Sequence, residues 1–152
     1  VMGTQQILMI VLSVIIVGVA VGVGITMFQN QAVNSNRQAV IADLNNFAAQ
    51  AIAWYKLPVN MGGGGNGNPG FTTEGSATGG LLSYIGFKTV EGEVNPSYEN
   101  DNGKYELTAT ASTLDIIGTG KEKVGEADYV KATLKIDMAL APGKQISLTV
   151  DK

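Results

Sequence analysis

The sequence predicts an α+β fold: a long N-terminal α-helix, hydrophobic in its first half and amphipathic in its second, packed on a C-terminal antiparallel β-sheet. Three observations predict it. No charged residue precedes Arg37, and Ile7–Phe28 is almost unbroken hydrocarbon. Apolar residues then recur at helical spacing as far as Tyr55. Over the last third of the chain they alternate with polar ones at a period of two.

The apolar run is interrupted only by Ser13, Gly18, Gly22, Gly24 and Thr26. A helix needs about 20 apolar residues to cross the ~30 Å hydrocarbon layer of a bilayer, and this run supplies them without a charge. It therefore reads as a membrane span or the buried core of a filament. A cleaved secretory signal opens with Lys or Arg, has a shorter apolar stretch and ends in a small-residue cleavage site. Here the run begins almost at the first residue and flows into polar helix, so retention in the mature protein is expected. The chain divides into a hydrophobic half-helix, residues 1–29, and a head, residues 30–152.

All 10 basic and 13 acidic residues of the 152-residue chain lie in the head. A formal charge of −3 and a pI near 4.8 leave no clustered Lys/Arg surface for phosphates, so no nucleic-acid partner is expected. Without Cys there is no disulfide and no thiolate metal site. Packing and hydrogen bonds must hold the head.

Residues 30–57 read as the amphipathic half of the helix. The apolar positions are Val40 or Ile41, Leu44, Phe47 or Ala48, Ala51 or Ile52, and Trp54 or Tyr55. From these the expected head core is Ile41, Leu44, Phe47, Ala51 and Trp54. Pro58 prevents continuation beyond Lys56 and Leu57. Asn34, Ser35 and Asn36 are poor helix formers, and Ser35 with Gln38 fits a capping box. Yet no Gly or Pro interrupts Gln29–Lys56, so one helix from about Thr4 is expected, ~80 Å long at 1.5 Å per residue.

Residues 58–80 turn abruptly to Gly, Asn, Ser and Thr. A phosphate-binding loop needs Lys-Ser/Thr at the start of a following helix, whereas Gly70 is followed by Phe71-Thr72-Thr73-Glu74. The segment reads as a surface loop. In 81–152, Tyr105–Ala111, Val130–Met138 and Ile146–Val150 show the alternation of one-faced strands. Asp101-Asn102-Gly103 and Pro142-Gly143 are turn signals, and the last two strands are expected to form an antiparallel hairpin. Leu81–Val90 reads as a further strand, with Gly86 against it. Packing the amphipathic helix on the apolar sheet face covers both surfaces.

With no His there is no Ser-His-Asp triad, imidazole base or common zinc site. Neither catalysis nor a cofactor is expected. The carboxylates from Glu91 to Asp128 sit in polar or turn-like contexts and read as solvated surface charge. Glu99, Asp101 and Asn102 lack EF-hand spacing and read as a hairpin turn rather than a calcium loop. Aromatics are only 7% of the chain; Phe28, Phe47, Trp54 and Tyr55, at helical spacing beside Leu44 and Ile52, read as head core rather than a conducting path.

This layout resembles bacterial type IV pilins and the pseudopilins of type II secretion, most specifically over Val1 to about Tyr55. The resemblance implies that Val1 is the terminus left by a prepilin peptidase and N-methylated. It implies a homo-oligomeric helical filament, fed from the cytoplasmic membrane by pilus assembly machinery and displayed at the cell surface. Its core would be packed by Ile7, Leu8, Ile10, Val11, Val14, Val17, Gly18, Val21, Gly22 and Gly24, with Gln5 and Gln6 near the terminal amine. A pseudopilin, or a monomeric membrane-anchored binding domain, is the alternative.

Two departures stand out. The family usually has Glu at the fifth residue, where this chain has Gln5; an amide can hydrogen-bond an ammonium group but cannot cancel its charge, and a buried unpaired charge costs several kcal/mol. A family proline near the twenty-second residue is replaced by Gly22. Each Gly costs about 1 kcal/mol against Ala in a helix, and the neighbouring valines are mediocre helix formers. This stretch is expected to lose helicity first. Gly18 with Gly22, and Ala20 with Gly24, form small-xxx-small pairs that let backbones approach.

Overall fold

A computed structural model describes residues 2–67, 70–71 and 80–151. α1, Met2–Lys56, is one uninterrupted helix, as the absence of breakers predicts. The Val- and Gly-rich stretch is helical too: glycine raises the entropic cost of the helix but removes no backbone N–H, so the hydrogen-bond ladder passes through it. The chain forms two compact units, one ending at Ser35 and the head from Asn36. Within the head, Asn36 Nδ2 donates to the Asn102 carbonyl at 2.8 Å.

Five antiparallel strands make one meander in chain order: β1 Ser97–Glu99, β2 Gly103–Ala109, β3 Thr113–Val124, β4 Asp128–Asp137 and β5 Ile146–Val150. The expected strands within 105–111, 130–138 and 146–150 are β2, β4 and β5, and β4 and β5 form the expected hairpin with Ala132 opposite Val150 and Ile136 opposite Ile146. The stretch Leu81–Val90 is not a strand. Leu81–Ile85 is a short helix, α2, with Leu81 and Ile85 buried one turn apart; Gly86, at φ 88°, ends it by donating to Leu82 O at 2.8 Å. Spacing of four, not two, was the operative period.

Residues 36–56 of α1 bring Val40, Leu44, Phe47, Ala48, Ala51, Trp54 and Tyr55 into the core, against Tyr105 and Leu107 of β2, Leu114 and Ile116 of β3, and Ala132, Leu134 and Ile136 of β4. Leu44, Phe47, Ala51 and Trp54 are buried as expected. Ile41 is not: it is half-buried, and Val40 is fully enclosed instead. Val40 heads the i, i+4, i+7, i+11 row that continues through Leu44, Phe47 and Ala51, and Ile41 stands about 100° round from it at the edge of that face. Phe47 is the aromatic hub, edge-to-face with Phe87, Tyr98 and Tyr105 at centroid distances of 5.2, 5.6 and 5.1 Å.

The glycine run after the helix is a cap. The N–H groups of Gly64, Gly65 and Asn66 donate to the carbonyls of Trp54, Leu57 and Tyr55, each at 2.9 Å, satisfying acceptors that a helix end otherwise orphans. The backbone comes so close that a Cβ on Gly63 would stand 2.2 Å from Leu57 Cβ. Small residues here are a packing requirement.

Gly118 on β3 faces the helix in the same way: an added Cβ would lie 2.8 Å from Val40 Cγ1 and 3.0 Å from the Tyr105 ring. Gly118→Val is therefore expected to destabilise the head by about 1–3 kcal/mol through overpacking. Urea denaturation followed by circular dichroism measures this; an unchanged midpoint would show that the helix can lift off the sheet without cost.

Polar groups join the β1–β2 hairpin to α1. Asp43 Oδ2 accepts from Asn102 Nδ2 at 2.8 Å, Asn100 Nδ2 at 2.9 Å and the Tyr105 hydroxyl at 2.6 Å. Burial pushes the Asp43 pKa up, but the bonds from Asn102, Tyr105 and Asn100 outweigh it and hold the carboxyl below its ordinary 3.8. Burial and the bond to Asp43 push the Tyr105 phenol the other way, far above its usual range. Because the folded-state pKa of Asp43 is depressed, its stabilisation is fully present above 3.8 and is lost as pH falls through the folded value. Asp43→Ala, which leaves three donors without their acceptor, should cost about 1–3 kcal/mol at neutral pH. The acid limb of the stability profile should flatten with it; a variant with the parental acid limb would remove Asp43 from this role.

Candidate functional site

The surface with the clearest chemical demand is the apolar half of α1. Side chains from Ile7 (63% exposed) through Val17 (61%) to Phe28 (77%) project on every side of the helix, and none is charged. This is the one helix among the described residues long and apolar enough to cross a membrane. At 1.5 Å per residue, Ile7–Phe28 covers about 33 Å, close to the hydrocarbon thickness of a bilayer.

Its polar atoms are already paired. Ser13 Oγ donates to Met9 O at 2.7 Å and Thr26 Oγ1 to Gly22 O at 3.1 Å, so both hydroxyls suit a medium that offers no hydrogen bonds. Gly18, Gly22 and Gly24 have open space where a Cβ would stand. Ile7, Leu8, Ile10, Val11, Val14, Val17 and Val21 are all more than half exposed, which in water leaves the full hydrophobic cost outstanding. Gln5 and Gln6 are exposed. Val1 lies outside the described residues, as do 68–69 and 72–79 of the expected Gly-rich loop.

The remaining groups singled out in the sequence are dispersed. Glu99 pairs with Lys121 at 3.9 Å, and the Asn100 and Asn102 amides turn towards Asp43. Among the described residues no three His, Cys, Asp or Glu side chains cluster as metal ligands. Glu93 bonds Lys104 and Ser97, which hold its pKa below the usual carboxylate value. Trp54 and Tyr55 are core, as expected, whereas Phe28 belongs to the apolar surface. Sequence reasoning missed Asp43 as a hub, since one acid on an amphipathic helix looks solvated; Asn100-Asp101-Asn102, read only as a turn, was the available signal.

Comparison with protein-family models, curated proteins and solved structures yields no match to this chain.

Proposed function

We propose that this chain is the structural subunit of an extracellular helical filament of the type IV pilus kind, held in the cytoplasmic membrane through α1 until assembly machinery extracts it, and polymerised through the same helix. The observation that carries this reading is the charge-free surface Ile7–Phe28, exposed all round on a helix whose later residues are built into the head's own core. Hydrophobic burial at about 25 cal/mol per Å² drives such side chains out of water, into lipid first and then among copies of the same helix. The Gly18–Gly22 and Ala20–Gly24 spacings favour close approach of neighbouring helices.

Gln5 and Gln6 supply hydrogen-bond acceptors near the terminus but no countercharge, so the amine there is expected to be hydrogen-bonded or hydrated. The fit of Ile7–Phe28 to bilayer thickness equally serves a monomeric anchored binding domain. Electron microscopy of material sheared from cells separates the two. Fibres that mass spectrometry identifies as this chain support the filament, and short, scarce fibres would favour a pseudopilin. Chain found only as monomer in the membrane fraction would overturn the filament and the pseudopilin and favour the anchored domain.

A further inference from the structure

On the outer face of the sheet, β3 and β4 lose register between Thr119 and Lys123, and such bulges twist a strand pair and re-aim its side chains. Beside the bulge lie two hollows of about 410 and 370 Å³ that share Thr119 and Tyr129. Tyr129 is 46% exposed, with Lys123 Nζ 5.6 Å from its ring centroid. Asp128, Lys131 and Asp151 complete one hollow; Glu99, Lys104 and Lys121 complete the other. Lys104 and Lys121 are ion-paired, whereas among the described residues Lys123 and Lys131 have no carboxylate within salt-bridge distance. In a chain of net charge −3, Lys123 lies over one side of an exposed aromatic ring and Lys131, without an ion pair, stands two residues along the same strand.

We propose that the paired hollows bind an anionic polysaccharide of uronate sugars, with one sugar on each side of Tyr129. Each group has a counterpart in that ligand. The C–H face of a pyranose packs on an aromatic ring, Lys123 and Lys131 meet the sugar carboxylates, and Asp128, Asp151 and Thr119 accept from its hydroxyls. A phosphodiester polymer fits less well, because it offers few hydroxyl donors to Asp128, Asp151 and Glu99.

The site lies within the head and does not depend on polymerisation, so the test uses the full chain as a detergent-solubilised monomer. Isothermal titration with oligogalacturonate should give saturable binding that weakens with salt. Its methyl ester, which keeps the ring and loses the charge, should bind about tenfold more weakly, as should oligogalacturonate to Tyr129→Ala or Lys131→Gln. Lys135→Gln, on the same face but outside the hollows, should bind like the parent. Lys131 is exposed, so its variant keeps the test open if Tyr129→Ala fails to fold by circular dichroism. No binding, equal binding of the ester, or tight binding of inorganic polyphosphate insensitive to Lys131→Gln would overturn the proposal.

Discussion

Val17→Asp is expected to abolish polymerisation while leaving the head folded. A carboxylate at the middle of the apolar helix costs about 3 kcal/mol at a bilayer centre, equivalent to more than a hundredfold in an equilibrium constant. In a polymer that penalty recurs at every subunit. Residue 17 belongs to the unit that ends at Ser35, whereas every strand belongs to the other, so circular dichroism should still report the sheet. Counting sheared fibres measures the effect. Fibres at the parental level would show that this part of α1 is not the assembly surface.

The largest effect within the head is expected at Phe47. Its ring is 6% exposed and meets Phe87, Tyr98 and Tyr105 edge-to-face. Phe47→Ala removes those contacts and leaves a cavity, at about 3–5 kcal/mol. A domain of this size is stable by only about 5–15 kcal/mol, so much of its margin would go. Ile41→Ala, one face round the same helix and half-buried, should cost clearly less. Urea midpoints of the two variants check the pair; equal losses would contradict the placement of Val40 rather than Ile41 in the core.

The helix was legible because its signals are redundant: an uncharged apolar run, a periodic face over 40–55, and no Gly or Pro between Gln29 and Lys56. β2, β4 and β5 were legible because apolar and polar residues alternate along them. β3 was missed along with the three-residue β1. At two of β3's inward positions stand Gly118 and Gly120, where the sheet meets the helix most closely: an added Cβ at Gly120 would lie 2.0 Å from Asn36 Oδ1. A strand packed that tightly shows no alternating apolar pattern there, since the required side chain is none. α2 was misread because five residues around one turn offer too few positions to separate a period of two from one near four. The two-hollow site depends on the register shift in β3, which no local composition announces.

The absence of cysteine makes the most direct test simple, because one introduced thiol is unique. Val17→Cys filaments, sheared from cells and oxidised, should yield disulfide-linked dimers and stay unreactive towards a water-soluble maleimide, as a residue packed among helices at the filament axis must. Filaments whose introduced thiol reacts readily with the maleimide, and whose subunits remain monomeric on oxidation, would contradict assembly through the apolar helix.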